Sequence, residues 1–264
     1  MRAGESGVLD SSAIKQERVH RMNELIGKVA LVTGAGRGIG RGIARGLAAE
    51  GASLVLAARS EPELREAAAE MSATGSQVLT VRTDVTDETQ VRKLFADAMA
   101  RFGRLDVLVN NAGAFDGGPL DQLSLEAWNK VIATNLTGPF LCTREALRIM
   151  KPQGVGRIIN IGSISAQRVR PRSAPYSASK HGLWGLTQVT ALEGREYGVT
   201  CGCLHPGNVR VERRAPGMAA MNEEPMMTVD EIARAAVLMA TLPPQVNMLE
   251  AIVLPMGQLY VGRG

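Results

Sequence analysis

The stretch Lys28-Val-Ala-Leu-Val-Thr-Gly-Ala-Gly-Arg-Gly-Ile-Gly40 decides the fold. Its first six residues, Lys28 to Thr33, form a short apolar run of the kind found in parallel strands that are buried on both faces. A glycine-rich turn follows, and then a helix is predicted from about Gly38 to Glu50. Glycines let the backbone approach a pyrophosphate closely, while the first N–H groups of the helix point at its oxygens. The stretch therefore predicts a dinucleotide-binding turn.

The second predicted strand, Ser53 to Ala58, ends beside an arginine and not beside a carboxylate. A carboxylate near this point would bind the adenosine ribose hydroxyls and repel a 2′-phosphate. Arg59, joined by Arg37 from the glycine turn, can instead pair with that phosphate through charge-assisted hydrogen bonds. The sequence therefore predicts NADP in preference to NAD. The alternative is that both arginines are solvated surface residues.

Strands and helices alternate along the rest of the chain. Further strands are predicted at 77–82, 105–109, 157–161, 199–204 and 249–254. Further helices are predicted at 62–73, up to 102, at 123–150, up to 197, and after the capping box Thr228-x-x-Glu231. Such alternation indicates helices on both faces of a sheet, joined by right-handed crossovers. The predicted fold is α/β, a single Rossmann-like, doubly wound sheet of seven parallel strands.

Length and composition predict one domain. A chain of 264 residues with 45% hydrophobic content can bury one sizeable α/β core. We expect this domain to span 26–264, preceded by an N-terminal extension at 1–25 whose early residues are mobile. The segment 208–227 is rich in proline, methionine, glycine and charge, which is typical of a lid over a substrate.

Composition also argues against several functional classes. A net charge of +4 and an aromatic content of 3% give no case for nucleic-acid binding. No apolar run approaches the roughly 20 residues that span a bilayer, and the first residues lack the apolar centre of a secretory signal. The three cysteines suit buried thiols in a reducing compartment, so we expect a cytoplasmic protein. Neither the cysteines nor the histidines form a metal-ligand cluster.

A second stretch, from Ser163 to Lys180, carries the predicted chemistry. Tyr176 and Lys180 are four residues apart, so both lie on one face of the predicted helix. A fixed ammonium beside the phenol favours the phenolate. Ser163 can then orient a substrate carbonyl or hydroxyl while Tyr176 gives or takes the proton, and a nicotinamide handles the hydride. The alternative is a solvated lysine below a packing tyrosine.

Polar residues follow several other predicted strands. Asp84 falls where the strand carboxyl ends gather and can accept from an adenine amino group, whereas Asp87, with Gln90 three residues on, is better suited to cap a helix. The segment Asn110-Asn-Ala-Gly113 meets either a ligand or a neighbouring strand. Asn135, in an apolar helix, is either a structural bracket or part of a proton route.

Taken together, these residues resemble the short-chain dehydrogenase/reductase family. The likeness runs from Lys28 to about Val209 and consists of Thr33-Gly-Ala-Gly-Arg-Gly-Ile-Gly40, Asp84-Val85, Asn110-Asn-Ala-Gly113, Asn135, Ser163, Tyr176-x-x-x-Lys180 and Pro206-Gly207. It implies Tyr176 as the catalytic acid or base and Ser163 as the residue that orients the carbonyl. It also implies that Lys180 binds the nicotinamide ribose and that Asn135 holds a water in the proton relay. The residues then expected to bind the cofactor are Gly34, Arg37, Gly38, Ile39, Gly40, Arg59, Asp84, Val85, Asn111, Ala112, Gly113, Tyr176, Lys180, Pro206, Gly207 and Val209.

The resemblance implies hydride transfer between NADP and a small carbonyl or hydroxy compound. It further implies a homodimer or homotetramer built partly on the long helices around Asn135 and Tyr176. Two alternatives stay open, a 3-oxoacyl thioester reductase and a non-catalytic NADP-binding sensor or scaffold. The chain departs from the family at Val211, where many members carry a threonine, and its end lacks the Val-Asp-Gly-Gly pattern of the fatty-acid-synthesis reductases.

Overall fold

The computed structural model describes residues 24–211 and 224–260, which alternate between strands and helices. The strands are β1 Val29–Thr33, β2 Ser53–Ala58, β3 Val78–Arg82, β4 Val107–Asn110, β5 Gly156–Ile161, β6 Val199–Pro206 and β7 Glu250–Val253. The α-helices are α1 Gly38–Ala49, α2 Glu61–Ser72, α3 Glu88–Phe102, α4 Leu125–Ile132, α5 Gly138–Gln153, α6 Ala174–Gly194 and α7 Val229–Thr241. Most of the predicted N-terminal extension, 1–23, and the middle of the predicted lid, 212–223, lie outside the described residues.

The strands form one parallel sheet in the order β3-β2-β1-β4-β5-β6-β7. From β1 the chain moves outward to β3, then returns to lay β4 on the other side of β1 and moves outward again to β7. In doubly wound sheets a ligand crevice opens beyond the carboxyl ends of the strands at such a switch point. The predicted fold class is therefore confirmed, and the sheet order places a crevice between β1 and β4.

Two apolar layers hold the sheet between its helices. Helices α1, α2 and α7 cover one face, where the buried side chains include Ile43, Leu47, Leu64, Met71 and Ile232. Helices α3 and α5 cover the other face, where they include Leu94, Phe95, Leu141 and Met150. Full burial of one such side chain is worth about 1.5–3 kcal/mol, so both layers stabilise the packing of the helices on the sheet.

The caps predicted from sequence are present. The Asp87 carboxylate accepts from the backbone N–H groups of Thr89 and Gln90 at the start of α3, as predicted. Thr228 and Glu231 form the predicted capping box at the start of α7. These bonds satisfy N–H groups that a helix leaves unpaired at its first turn.

The ends of several elements differ by one to three residues from the sequence prediction, and two differences concern residues near the site. Strand β6 continues through Pro206, two residues beyond the predicted end, because His205 and Pro206 pair in register with Ile252 and Val253 of β7. The predicted helix at 123–150 is divided by a π-turn, Ala133–Thr137, in which the Gly138 N–H donates to the Ala133 carbonyl five residues back. Such a turn inserts one residue into the helix and turns a side chain inward, and here it carries the buried Asn135.

The positions of the cysteines test a further prediction. All three cysteines are free and buried, which confirms the predicted buried thiols. Burial raises the pKa of the Cys142 thiol to about 12 and that of the Cys203 thiol to about 12, so both stay protonated at neutral pH.

Among the described helices, none combines the length and apolarity that crossing a membrane requires.

Candidate active site

A crevice of about 550 Å³ opens beyond the carboxyl ends of β1 to β4. The predicted cofactor-binding residues that line it are Gly34, Arg37, Gly38, Ile39, Arg59, Asp84, Val85, Asn111, Ala112 and Gly113. Sequence reasoning did not assign Gly36, Ala58, Ser60, Glu63, Thr83, Thr134 or Val211 to it, although they line it too. The residues at the switch point of the sheet therefore meet in one space.

The glycine turn is shaped by its contact with the segment after β4. Gly34 has a φ of 65°, and a Cβ there would lie 2.9 Å from the Ala112 Cα. A Cβ on Gly40 would collide with the Asn111 side chain and with the Gly34 carbonyl. The Asn111 amide donates to the Thr33 carbonyl at 2.9 Å and to the Gly34 carbonyl at 3.2 Å. The Asn111 side chain therefore binds the neighbouring strand end and fixes the turn, which was one of the two interpretations left open.

The N-terminus of α1 faces this crevice without a side-chain cap. Its N-cap residue, Arg37, makes no capping hydrogen bond, and the first turn contains no acidic residue. Unsatisfied N–H groups and the positive end of the helix dipole favour an anion at such a terminus. Gly34, Gly36 and Gly38 line the crevice beside this terminus, which fits the pyrophosphate of a dinucleotide.

A carboxylate lies beside the arginines predicted to bind a 2′-phosphate. Glu63, in the first turn of α2, places its Oε1 3.2 Å from the Arg37 Nη1. The expectation that no carboxylate stands near the end of β2 is therefore wrong, because α2 folds back against the glycine turn. Asp84 also lines the crevice, but its Oδ1 accepts from the backbone N–H and the hydroxyl of Thr86, so it also holds its own loop.

The predicted reacting groups lie farther along the same edge of the sheet. Ser163 follows β5, is buried, and its Oγ accepts from the Ser165 N–H at 3.1 Å. That bond fixes the hydroxyl oxygen and leaves its proton for a substrate oxygen. Lys180 is 6% exposed and donates from Nζ to the Ile161 carbonyl at 2.8 Å.

Tyr176 stands over this lysine on the first turns of α6. The Lys180 Nζ lies 5.6 Å from the centroid of the Tyr176 ring, as expected for residues four apart on a helix. The ring is half-buried, and its centroid lies 5.3 Å from that of Phe115. The Tyr176 ring therefore lies close to both the buried Lys180 ammonium and the Phe115 ring.

Asn135 joins the crevice to the reacting groups. Its Oδ1 accepts from the Ala114 N–H at 2.7 Å, and its Nδ2 donates to the Ala114 carbonyl at 2.9 Å and to the Ser179 Oγ at 3.2 Å. Its Oδ1 also lies 3.7 Å from where a Cβ of Gly113, a crevice residue, would stand. The side chain therefore acts as a structural bracket between the loop after β4 and α6, and its part in a proton route stays a prediction.

Several predicted cofactor residues do not line the crevice, namely Gly40, Tyr176, Lys180, Pro206, Gly207 and Val209. The segment after β6 is instead braced by other backbone and by the C-terminal segment. Gly207 donates to the Val253 carbonyl, Val209 forms a bridge with Met227, and the Asn208 N–H donates to Gln258 Oε1 at 2.9 Å. Also in the C-terminal segment, the Tyr260 hydroxyl donates to Gln167 Oε1 at 3.0 Å.

Sequence reasoning missed the contact that His205 makes with Ser163. The imidazole is fully buried, with Nδ1 2.9 Å from the Ser163 carbonyl oxygen and Nε2 3.4 Å from Glu250 Oε1. Burial lowers the pKa of His205, outweighing the opposite effects of the Ser163 backbone and Glu250. The signal in the sequence is a polar residue at the end of a strand, but its partner depends on β5 lying next to β6.

No group of three or more His, Cys, Asp and Glu side chains in residues 24–211 and 224–260 is arranged to hold a metal ion. The groups brought together at this edge are instead a hydroxyl, a phenol, an amine and an amide, beside a glycine turn with an open helix N-terminus. Together they can bind an anionic dinucleotide and move a proton at an adjacent oxygen.

Comparison with known proteins agrees with this arrangement. The family model described as short chain dehydrogenase matches residues 28–221. A short chain dehydrogenase/reductase of Aspergillus oryzae is 40% identical over 84% of this chain and 85% of its own length. A 3-oxoacyl-[acyl-carrier-protein] reductase of Synechocystis is 39% identical over 81% of this chain and 85% of its own length.

A solved structure gives the same result at the level of the fold. A metagenomic short-chain oxidoreductase in complex with NADP superposes with a TM-score of 0.78 and 36% identity. The match covers 88% of this chain and 98% of the other. The chain therefore belongs to the short chain dehydrogenase family of oxidoreductases.

Proposed function

We propose that the protein is an NADP-dependent carbonyl reductase or alcohol dehydrogenase that acts on a small carbonyl or hydroxy compound. One observation carries this proposal: the buried Lys180 ammonium is hydrogen-bonded to the carbonyl of Ile161, the last residue of β5, and lies 5.6 Å from the centroid of the Tyr176 ring. A lysine with only a structural role would be more stable at the surface, because water solvates its charge better than a buried site beside a phenol does.

The crevice would hold the cofactor through this chain's own groups. The glycine turn and the N-terminus of α1 would bind the pyrophosphate, and Arg37 and Arg59 would bind the 2′-phosphate. The NADP complex of the metagenomic relative supports the same cofactor choice. When bound, the nicotinamide supplies or accepts the hydride.

Ser163, Tyr176 and Lys180 then have different roles in proton transfer at the substrate oxygen. Ser163 donates its hydroxyl proton in a hydrogen bond to that oxygen, because its own oxygen is held by the Ser165 N–H. Tyr176 gives the oxygen a proton in reduction and takes one in oxidation. The Lys180 ammonium stabilises the phenolate that remains, and burial strengthens this attraction.

Replacing Tyr176 with phenylalanine tests the proposal. The Tyr176→Phe variant keeps the ring but loses the proton, so we expect turnover of a carbonyl substrate, followed as NADPH oxidation, to fall by about 10²- to 10⁴-fold. The matched control is Tyr197→Phe, because Tyr197 lies exposed in the short turn after α6. Unchanged turnover in Tyr176→Phe would contradict the chemistry, and the absence of turnover in the parent across a carbonyl panel would favour the sensor alternative.

A second candidate function is reduction of 3-oxoacyl thioesters. The similarity to the Synechocystis 3-oxoacyl-[acyl-carrier-protein] reductase supports it. Steady-state rates with an acetoacetyl thioester and with the matching free ketone distinguish the two functions. A kcat/KM for the thioester at least tenfold higher would favour the second candidate.

We propose that the segment 208–227 covers the substrate.

We also propose that the protein is a homodimer or homotetramer. Apolar side chains exposed on the long helices, Phe140 on α5 and Val189 and Leu192 on α6, support an interface between copies. Light scattering of the purified protein measures the mass directly and would exclude this assembly if only a monomer were found.

A further inference from the structure

The carboxylate of Glu63 lies in the part of the crevice that Arg37 and Arg59 would offer to a phosphate. Its Oε1 is 3.2 Å from the Arg37 Nη1, and its side chain is only 33% exposed. Packing against the glycine turn fixes this position, since a Cβ on Gly36 would lie 2.9 Å from the Glu63 Cβ. Glu63 is therefore held in the crevice by the fold and does not extend freely into solvent.

One guanidinium thus faces two possible anionic partners. A phosphate monoester carries a charge of about −1.5 to −2 at pH 7, and Arg37 is a natural partner for it. The Glu63 carboxylate already occupies Arg37 and adds a negative charge near the same place. A ribose with a free 2′-hydroxyl brings no charge and can donate a hydrogen bond to a carboxylate.

The geometry points to Glu63 as a residue that sets cofactor choice. By holding Arg37, its carboxylate weakens the binding of a 2′-phosphate and narrows the preference for NADPH over NADH. This inference rests on the proposed function, because it requires a dinucleotide in the crevice. The opposite effect, in which Glu63 orients Arg37 for the phosphate, predicts a change of opposite sign in the experiment below.

The test measures binding and does not depend on turnover. Dissociation constants of NADPH, NADH, 2′,5′-ADP and 5′-AMP are determined by isothermal titration for the parent and for Glu63→Gln, which keeps the shape and removes the charge. The matched control is Glu61→Gln, which removes the same charge from the first turn of α2 at a residue that pairs with Arg65.

We expect Glu63→Gln to bind NADPH and 2′,5′-ADP about fivefold more tightly, the size expected for a partly exposed ionic interaction. Binding of NADH and 5′-AMP should stay equal or weaken, and Glu61→Gln should behave as the parent. The gain should shrink at high salt, because screening reduces it.

Unchanged or weaker NADPH binding in Glu63→Gln, or an equal gain in Glu61→Gln, would overturn the inference. If the parent binds neither dinucleotide, the inference fails together with the proposed function. If the parent binds NADPH and reduces a carbonyl substrate, but Glu63→Gln binds NADPH no more tightly than the parent does, the inference alone fails.

Discussion

The two ends of the candidate active site, the reacting groups and the crevice beside them, are built in different ways. At the reacting end, Asn135, Ser163 and Lys180 are all less than 10% exposed, and each is hydrogen-bonded to backbone atoms of another element or of its own turn. At the adenosine end, Arg37 and Glu63 are 46% and 33% exposed and bind each other through an ion pair that is partly open to solvent. The fold thus buries the reacting groups among their hydrogen-bond partners, whereas solvent screens the charges at the adenosine end. Substitutions should therefore have larger effects at the first end than at the second.

After Tyr176→Phe, the largest effect is expected for Lys180→Met. Methionine fills a similar volume but removes the buried charge beside Tyr176, so we expect kcat for carbonyl reduction to fall by about 10²- to 10³-fold. The control is Lys130→Met, whose amine is 59% exposed and pairs with Asp116. A kcat within threefold of the parent would show that the ammonium does not assist the phenol.

Asn135→Ala should give the next largest effect, and here it concerns stability. The change leaves the Ala114 N–H and carbonyl without their partner and removes the contact with Ser179, so the free energy of unfolding should fall by about 2–4 kcal/mol. Denaturant unfolding measures this loss. Asn129→Ala on α4 is the control, since that side chain is exposed and should change stability by no more than about 0.5 kcal/mol. Equal stabilities of the two variants would contradict the bracket.

A smaller effect is expected at the adenosine end for Arg59→Ala. If exposed Arg59 binds the 2′-phosphate as proposed, its loss should weaken NADPH binding about tenfold and leave NADH binding unchanged. The control is Arg65→Ala, because Arg65 is 68% exposed on α2 and pairs with Glu61. Equal weakening of both cofactors would show that Arg59 does not recognise the phosphate.

The smallest effect is a pH dependence of stability at His205. Because burial lowers the pKa of this imidazole in the folded state, the unfolded chain takes up its proton first as the pH falls. The contribution of His205 to stability is therefore complete above about pH 6.5 and is lost as the pH falls toward the folded pKa, at no more than about 1.4 kcal/mol per pH unit.

Denaturant unfolding of the parent and of His205→Gln, at about pH 7.5 and about pH 5.5, isolates this contribution. The difference in stability between the two proteins should be smaller at the lower pH. His181→Gln is the control, because His181 lies exposed on α6 and its Nδ1 lies 2.9 Å from the Ser177 carbonyl oxygen one turn back. A difference that grows on acidification would contradict the assigned direction.

Local sequence signals predicted the elements, and contacts between distant elements were harder to predict. The strand before Gly34 and the cap at Asp87 are read from neighbouring residues, and both are present. The position of Glu63 depends instead on how closely α2 packs against Gly36, and that of His205 on β6 lying beside β5. Such distances arise only when the sheet is assembled, so a search of the sequence for a carboxylate directly after β2 overlooked Glu63.

The short segment 254–260 has a consequence for redesign of this enzyme. Gln258 holds the loop that follows β6, while Tyr260 bonds to Gln167 and lies under the guanidinium of Arg168 in the loop that follows Ser163. Seven residues thus act as a strut between two loops that come from different strands. Replacing this segment should therefore alter both loops at the same time.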